Sequence, residues 1–258
     1  MIDCHSHLLP ELDDGATNKY VAITMAKQAV SMGITDVIVT PHYKTAEYSV
    51  SKAEMLIALT NFKNELELND IQLVLHAGQE VRIYGELVTD LEAGNVQTLA
   101  NSRYVLIEFP STFIPSYTKR LFYDLLVAGF VPIIAHPERN QEFRNNSDLL
   151  FELVSKGALV QITAASFIGD FGRAEKRAAI KWLKQKLVHF IASDAHNATK
   201  RSYKLQKAMK KITRLTSKEE QRRLQDNTQK IIRNEALVID SDGIGSSQRW
   251  WYRKKRRE

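Results

Sequence analysis

Seven short apolar or β-branched runs punctuate the chain, at residues 2–5, 36–40, 71–75, 104–107, 131–135, 159–162 and 188–192. Each is followed by a polar cluster, and most are separated by a segment with apolar positions at helical spacing. Residues 19–32 stop at Gly33, residues 116–127 at Gly129 and residues 147–156 at Gly157. Glycine just past the last apolar position is a usual helix stop, because it enters the left-handed conformation without a Cβ clash. Strand then helix, repeated about seven times, predicts an α/β fold with a parallel sheet and crossover helices.

The polar residues favour a closed or nearly closed barrel over an open sheet. The runs end in His-Ser-His, Thr-Pro-His, Gly-Gln-Glu, Glu-Phe-Pro, Ala-His-Pro-Glu-Arg, Thr-Ala-Ala-Ser and Ser-Asp-Ala-His. In a barrel the C-terminal ends of all strands open onto one face, so residues a hundred positions apart converge on one pocket. Past His196 the pattern turns to polar, basic helical segments at 200–215 and 219–234, with Thr216 and Ser217 ahead of Glu219 and Glu220 as a capping box. Residues 240–247 lack periodicity and read as a linker. The expected organisation is one barrel domain with its C-terminal helices over residues 1–238, then a linker and basic aromatic tail over 239–258.

Composition narrows the class. A length of 258 residues suits one barrel domain, and 44% hydrophobic with 26% charged residues is ordinary for a globular chain. No apolar run approaches the ~18 residues of a membrane span. The first residues lack the basic, apolar and small-residue order of a secretion leader, and a lone Cys4 agrees with a reducing compartment, so the cytoplasm is expected. The net charge of +6 is unevenly placed: residues 1–199 carry 18 basic and 23 acidic side chains, whereas residues 200–233 carry 12 and 3. The basic excess therefore lies at one end of a mildly acidic body.

His5 and His7, two apart on a strand, project to one face and can hold one ion. His42, Glu80, Glu108, His136, Asp194 and His196 each lie at or just after another predicted strand end, and the first loop adds the adjacent carboxylates Asp13 and Asp14. Incidental surface histidines would not select the same end of successive strands. Five histidines and four carboxylates exceed what one ion takes, so two or three divalent ions are expected, with Glu80 as a bridge. The absence of thiolate leaves manganese, iron, zinc or magnesium, and the histidine content argues against magnesium alone. Such ions lower the pKa of water and bind phosphoryl oxygens, which makes phosphoester hydrolysis by hydroxide attack the leading reaction. Arg139 and Arg201 start just past strand ends and can bind phosphate bidentately.

His5-Ser6-His7, Asp13-Asp14-Gly15, Thr40-Pro41-His42, Gly78-Gln79-Glu80, Glu108-Phe109-Pro110, Ala135-His136-Pro137-Glu138-Arg139-Asn140 and Ser193-Asp194-Ala195-His196-Asn197 resemble the motifs of the polymerase-and-histidinol-phosphatase (PHP) superfamily. Within it the chain most resembles the manganese-dependent bacterial tyrosine-protein phosphatases encoded beside capsule and exopolysaccharide kinases, over roughly residues 1–235. The resemblance implies a distorted (β/α)7 barrel with a trinuclear site: one ion on His5, His7, Glu80 and Asp194, a second on Glu80, Glu108 and His136, a third on Asp14, His42 and His196. It also selects Asp14 over Asp13, gives Arg139 and Arg201 a role in phosphate binding or leaving-group assistance, and implies a tyrosine-phosphorylated kinase as substrate.

The cysteine-dependent route has no support, because its Cys-x5-Arg signature would place arginine where Pro10 stands. Cys4 is expected on the packed face of its strand. His76 and His189 fall within strands and read as core or surface histidines. Residues 166–173 read as a loop whose aromatic residues pack locally. A small phosphomonoester such as histidinol phosphate is the competing substrate, and a non-catalytic adaptor docked on a kinase is the competing class. The basic residues lie beyond the metal motifs, so nucleic acid is not expected. Arg249 to Arg257, mixed basic and aromatic, suit peripheral contact with an anionic membrane.

Overall fold

A computed structural model describes residues 1–237. The elements run β1 (Ile2–Ser6), α1 (Lys19–Ser31), β2 (Asp36–Val39), β3 (His42–Tyr43), α2 (Lys52–Leu68), β4 (Val74–His76), β5 (Glu80–Arg82), α3 (Leu87–Glu92), β6 (Tyr104–Glu108), α4 (Thr118–Val127), β7 (Val131–Ala135), α5 (Gln141–Asn145), α6 (Ser147–Ser155), β8 (Leu159–Thr163), α7 (Ala164–Ile168), α8 (Arg173–Lys184), β9 (Phe190–Ala192), α9 (Leu205–Leu215) and α10 (Lys218–Ile232). All strand pairs are parallel, in two sheets of order β1-β2-β4 and β3-β5-β6-β7-β8-β9.

The two sheets follow one chain path. β2 continues into β3 through Thr40-Pro41, and β4 into β5 through residues 77–79. Proline cannot donate to a ladder, and the path breaks there. Gly78 packs tightly at the second break, where a Cβ would stand 2.8 Å from Ile38 Cγ2. At the other margin Ser6 bridges Ala195 in parallel, His7 N donates to Ala195 O at 2.9 Å and Asp194 N to His5 O at 2.9 Å. The last strand thereby meets the first.

Apolar residues divide between two layers. The larger cluster lies where the helices cover the sheets, with Met25, Phe62, Leu125 and Trp182 among its members. The smaller cluster gathers Cys4, Ile38, Tyr104, Leu106, Ile133, Leu159 and Phe190, with Ile231 of α10. Cys4 is buried there, as its strand position predicted, and burial pushes its thiol pKa far up.

Several boundaries move. The third run forms a strand only at Val74–His76, because Asp70 (φ 51°) turns the chain after α2. His42 and Glu80 stand inside the short strands β3 and β5 rather than past strand ends. The basic helix expected from residue 200 begins at Leu205, since Asn197 Oδ1 accepts from Thr199 N and Arg201 N and holds a turn. Ser166–Ile168, expected as loop, belong to α7. Ser217 Oγ accepts Glu220 N at 3.2 Å, but the Glu220 carboxylate accepts from Lys186 and Arg223, so the box is not reciprocal. The linker and the tail lie outside the described residues. No helix among the described residues is long and apolar enough to cross a membrane.

Candidate metal centre

Strand ends, the short strands β3 and β5 and the loop after β1 bring all nine sequence-selected donors together. His5 Nε2 and His7 Nε2 stand 3.2 Å apart, each 3.3 Å from Glu80 Oε2, and 3.5 and 3.6 Å from Asp194 Oδ1. Donors sharing an ion at bond lengths of ~2.0–2.1 Å are separated by roughly 3.0–3.4 Å, so this set has the spacing of one coordination shell. Asp14 Oδ1 lies 3.3 Å from His42 Nε2 and 3.2 Å from His196 Nε2. His136 Nε2 lies 2.7 Å from Glu80 Oε1 and 4.0 Å from Glu108 Oε1.

Seven of the donors form three overlapping groups, His7, Asp14, His42 and His196; His5, His7 and Glu80; and His42, Glu80 and Glu108, with His136 and Asp194 just outside them. This overlap is greater than in the partition drawn from the resemblance, since His42 Nδ1 also approaches Glu80 Oε2 at 3.1 Å. The cluster is continuous, with Glu80 at its centre. His42 Nδ1, Glu80 Oε2 and His196 Nε2 are buried yet make no hydrogen bond. Buried polar atoms converging without hydrogen-bond partners are unfavourable unless a cation joins them. The residues present fit a cluster of divalent ions.

Local backbone chemistry aims these side chains. His136 (φ 30°) and Asp194 (φ 53°) both adopt left-handed conformations that non-glycine residues rarely take. Both turn the chain out of a strand, and the ladders behind them hold them there. His5 Nδ1 pairs with Gln161 Oε1 at 3.0 Å, His7 Nδ1 with Asp13 Oδ2 at 2.7 Å and His196 Nδ1 with Asp194 O at 3.0 Å. Each contact leaves Nε2 facing the cluster and fixes the ring. Asp13 Oδ2 also accepts His42 N at 3.0 Å, and Asp13 Oδ1 accepts Gly15 N at 2.9 Å. Asp13 thus stands behind the rings while Asp14 faces the cluster. Gly15 makes this fold possible: a Cβ there would lie 2.2 Å from His7 O.

Burial opposes ionisation of Asp194 and Glu80. Arg139, His196, His5 and Arg201 nevertheless hold Asp194 well below the usual carboxylate range, and His5, His42 and His136 do the same for Glu80. Glu108 moves the other way, to about 7, through burial and then the charge of Glu80. One carboxyl is held ionised at its neighbour's expense. His136 and His196 are pushed down to about 4, the first by burial and Arg139, the second by burial and His7. Near neutral pH both are unprotonated and keep a lone pair.

Arg139 and Arg201 both reach this centre. Arg139 Nη1 contacts Asp194 Oδ2, and its guanidinium lies 5.1 Å from the Phe171 ring centroid. Arg201 contacts Asp14 Oδ2 at 3.2 Å and Asp194 Oδ1 at 3.3 Å. With Asp14, His42, Tyr48 and Glu80 they line an open cavity of about 270 Å³.

Comparison with known proteins shows the family. Residues 1–233 match the family described as "Capsular polysaccharide synthesis, CpsB/CapC". The chain belongs to the CpsB/CapC family. It is 41% identical to the tyrosine-protein phosphatase YwqE of Bacillus subtilis, over 92% of this chain and 93% of that protein. It is 39% identical to the putative tyrosine-protein phosphatase CapC of Staphylococcus aureus, over 98% and 99%. A crystal structure of YwqE, described as a metal-dependent tyrosine phosphatase, superposes with a TM-score of 0.90 over 92% of this chain and 96% of that one.

Three contributors to this centre escaped the sequence reading. Gln161 is a polar residue in the middle of β8, between Val160 and Ile162, and that position was its only signal. Arg82 Nη2 pairs with Glu108 Oε2 at 2.9 Å, and it alternates with Glu80 on β5. Glu138, fully buried, accepts Thr163 N and Ser166 Oγ beside Arg139. His76 and His189 lie apart, paired with Asp36 and Val160 N respectively. Asp3 Oδ1 accepts Ser193 N at 2.9 Å and so serves the strand junction.

Proposed function

We propose that this CpsB/CapC chain is a metal-dependent protein-tyrosine phosphatase. Its substrate is a tyrosine-phosphorylated bacterial kinase that controls capsule or exopolysaccharide synthesis, and it acts in the cytoplasm. The observation that carries the reading is the convergence of the donors, six of which line one cavity together with Arg139 and Arg201, on a chain whose relatives bear that name.

Two or three divalent ions fit the donor set, manganese foremost, with iron, zinc or magnesium as the other choices. His5, His7, Glu80 and Asp194 would hold one, Glu80, Glu108 and His136 a second, and Asp14, His42 and His196 a third. Bound ions supply Lewis acidity toward a phosphoryl oxygen and lower the pKa of water. The protein's own part is positional. Gln161 and Asp13 orient His5 and His7, and Asp194 gathers Arg139 and Arg201 at the cavity wall. The two guanidinium groups bind phosphate oxygens and offset charge developing on the leaving oxygen. A phenolate leaves readily, since tyrosine has a pKa of ~10, so an arginine suffices where an alcohol would require a strong acid. Cys4 is buried with a raised pKa, which suits no nucleophile.

The Ser6–Ala195 bridge supports reading the two sheets as a distorted (β/α)7 barrel. We take residues 1–238 as that domain and 239–258 as linker and membrane-contacting tail. Removing residues 248–258 should reduce recovery with anionic vesicles and spare hydrolysis of a free phosphopeptide.

The test is phosphate release from a phosphotyrosine peptide, with manganese, with chelator, and beside histidinol phosphate. Release that requires metal and favours the peptide is expected. Preference for histidinol phosphate, or binding to a kinase with no release, overturns the reading.

A further inference from the structure

A second cavity of about 440 Å³ opens beside the first and shares Ala46, Arg82, Glu108, His136 and Arg139 with it. The two differ in chemistry. The first is walled mainly by carboxylates, imidazoles and three arginines, while Phe109, Pro110, Ser111, Ala135 and Asn140 are added only in the second. A ligand that is anionic at one end and apolar at the other would span both.

We propose that the second cavity is the aryl subsite: it receives the phenol ring of the substrate while the phosphate lies between Arg139 and Arg201. The inference rests on the phosphatase reading above and adds how the site selects an aryl over an alkyl phosphoester. A serine or threonine stem is too short and too narrow to fill the space beside Phe109, so it forgoes the burial a ring gains.

The walls are fixed before any ligand arrives. Asn140 Nδ2 donates to Pro110 O at 2.6 Å and Phe113 O at 3.1 Å, and Gln141 N donates to Ser111 O at 2.7 Å. Glu142 Oε2 accepts Ile114 N at 2.7 Å. Phe109 meets Phe122 and Phe143 edge-on, with centroids 6.0 and 5.3 Å away, which locks its ring. On the facing side Arg82 is held by Glu108 at 2.9 Å, leaving a guanidinium beside the space a ring would take. A preformed wall loses little ordering entropy on binding, so the apolar gain appears as affinity.

The proposal is tested on the manganese-loaded protein by calorimetry with two non-hydrolysable probes, phenylphosphonate and methylphosphonate. The wild type should bind the phenyl probe about tenfold or more tightly, the advantage of burying one ring. Ser111 is an exposed position that lines only the second cavity, so Ser111→Trp and Ser111→Phe fill it without disturbing the core or the first cavity. Both variants should lose the phenyl preference and keep methylphosphonate affinity within about twofold. Equal affinities in the wild type, a preference that survives both substitutions, or parallel loss of both probes overturns the subsite. A further measurement compares KM for p-nitrophenyl phosphate with KM for a phosphopeptide. Both should rise in the variants, and a rise confined to the peptide would give the cavity to a neighbouring side chain and overturn the proposal. Failure of the wild type to release phosphate from any phosphotyrosine would instead sink the phosphatase reading, and the probe affinities would still decide the subsite.

Discussion

Two residues separate two chemically opposite storeys of the same strands. On β6 Leu106 precedes Glu108, on β8 Leu159 precedes Gln161, and on β9 Phe190 and Ala192 precede Asp194. Burial does not distinguish them: Phe190 is 0% exposed, and so is His5, with Glu80 at 1% and Asp194 at 2%. The lower storey is stabilised by its own contacts, since each apolar side chain removed from water contributes about 25 cal/mol per Å². The upper storey gathers carboxylates and imidazoles whose lone pairs face one another, and positive charge is what stabilises it. The apolar floor also matters to the charges above it. Low polarity beneath them strengthens every interaction, so Glu80 and Glu108 are driven in opposite directions.

The comparison breaks most sharply with one substitution in each storey. Glu80→Gln keeps shape and volume while removing the central carboxylate, and phosphate release should fall at least about a thousandfold. In the metal-free protein the change removes repulsion with Glu108 but also attraction to His5, His42 and His136, so stability should change far less than the rate does. Phe190→Ala should do the reverse, destabilising the fold by about 3–5 kcal/mol while the molecules that remain folded keep their rate. Urea denaturation with and without manganese, read beside initial rates, separates the two effects. If both variants lost stability and activity in the same proportion, the storeys would not be independent.

The alternation of strands and helices was legible in the sequence because hydrophobic periodicity reports it, but the breaks that part β2 from β3 and β4 from β5 were not. The upper storey was legible because its donors recur at the same end of each run, and the spacing of His5 and His7 puts both on one face. What the sequence hid are contacts across the chain. Gln161 meets His5 and Arg82 meets Glu108 by the curvature of the sheets, which no local pattern encodes. The choice between Asp13 and Asp14 was hidden for another reason. Adjacent residues in an irregular loop carry no period, and only the hydrogen bonds from Gly15 N and His42 N turn Asp13 away from the cluster. The third strand was misplaced because Ile71 and Leu73 are buried without pairing, so burial there imitates a strand.

The next effect sharpens the boundary of the upper storey. Asp13→Asn and Gln161→Leu leave every donor in place and remove only what orients His7 and His5. Each should weaken metal affinity by about 10–100-fold. Titration of the metal-free protein with manganese measures this independently of turnover. Unchanged affinity would mean that the strands alone aim the rings.

The smallest expected effect concerns a buried polar residue belonging to neither storey. His189 is 4% exposed, and its Nδ1 accepts Val160 N at 3.1 Å. Burial and then Arg223 push its pKa down to about 3, against an ordinary value near 6.5. Folding therefore keeps the ring neutral, and the unfolded chain takes up the proton first as pH falls. The stability this arrangement contributes is complete above about pH 6.5 and is lost progressively down to about pH 3. His189→Gln offers Val160 N an oxygen acceptor that does not titrate, so the metal-free variant should lose less stability than the wild type across that window. The difference should be on the order of 1 kcal/mol per pH unit at most. The carboxylates of the upper storey titrate in both proteins and cancel in the comparison. Denaturation curves of equal slope with pH would place the acid sensitivity wholly in the upper storey.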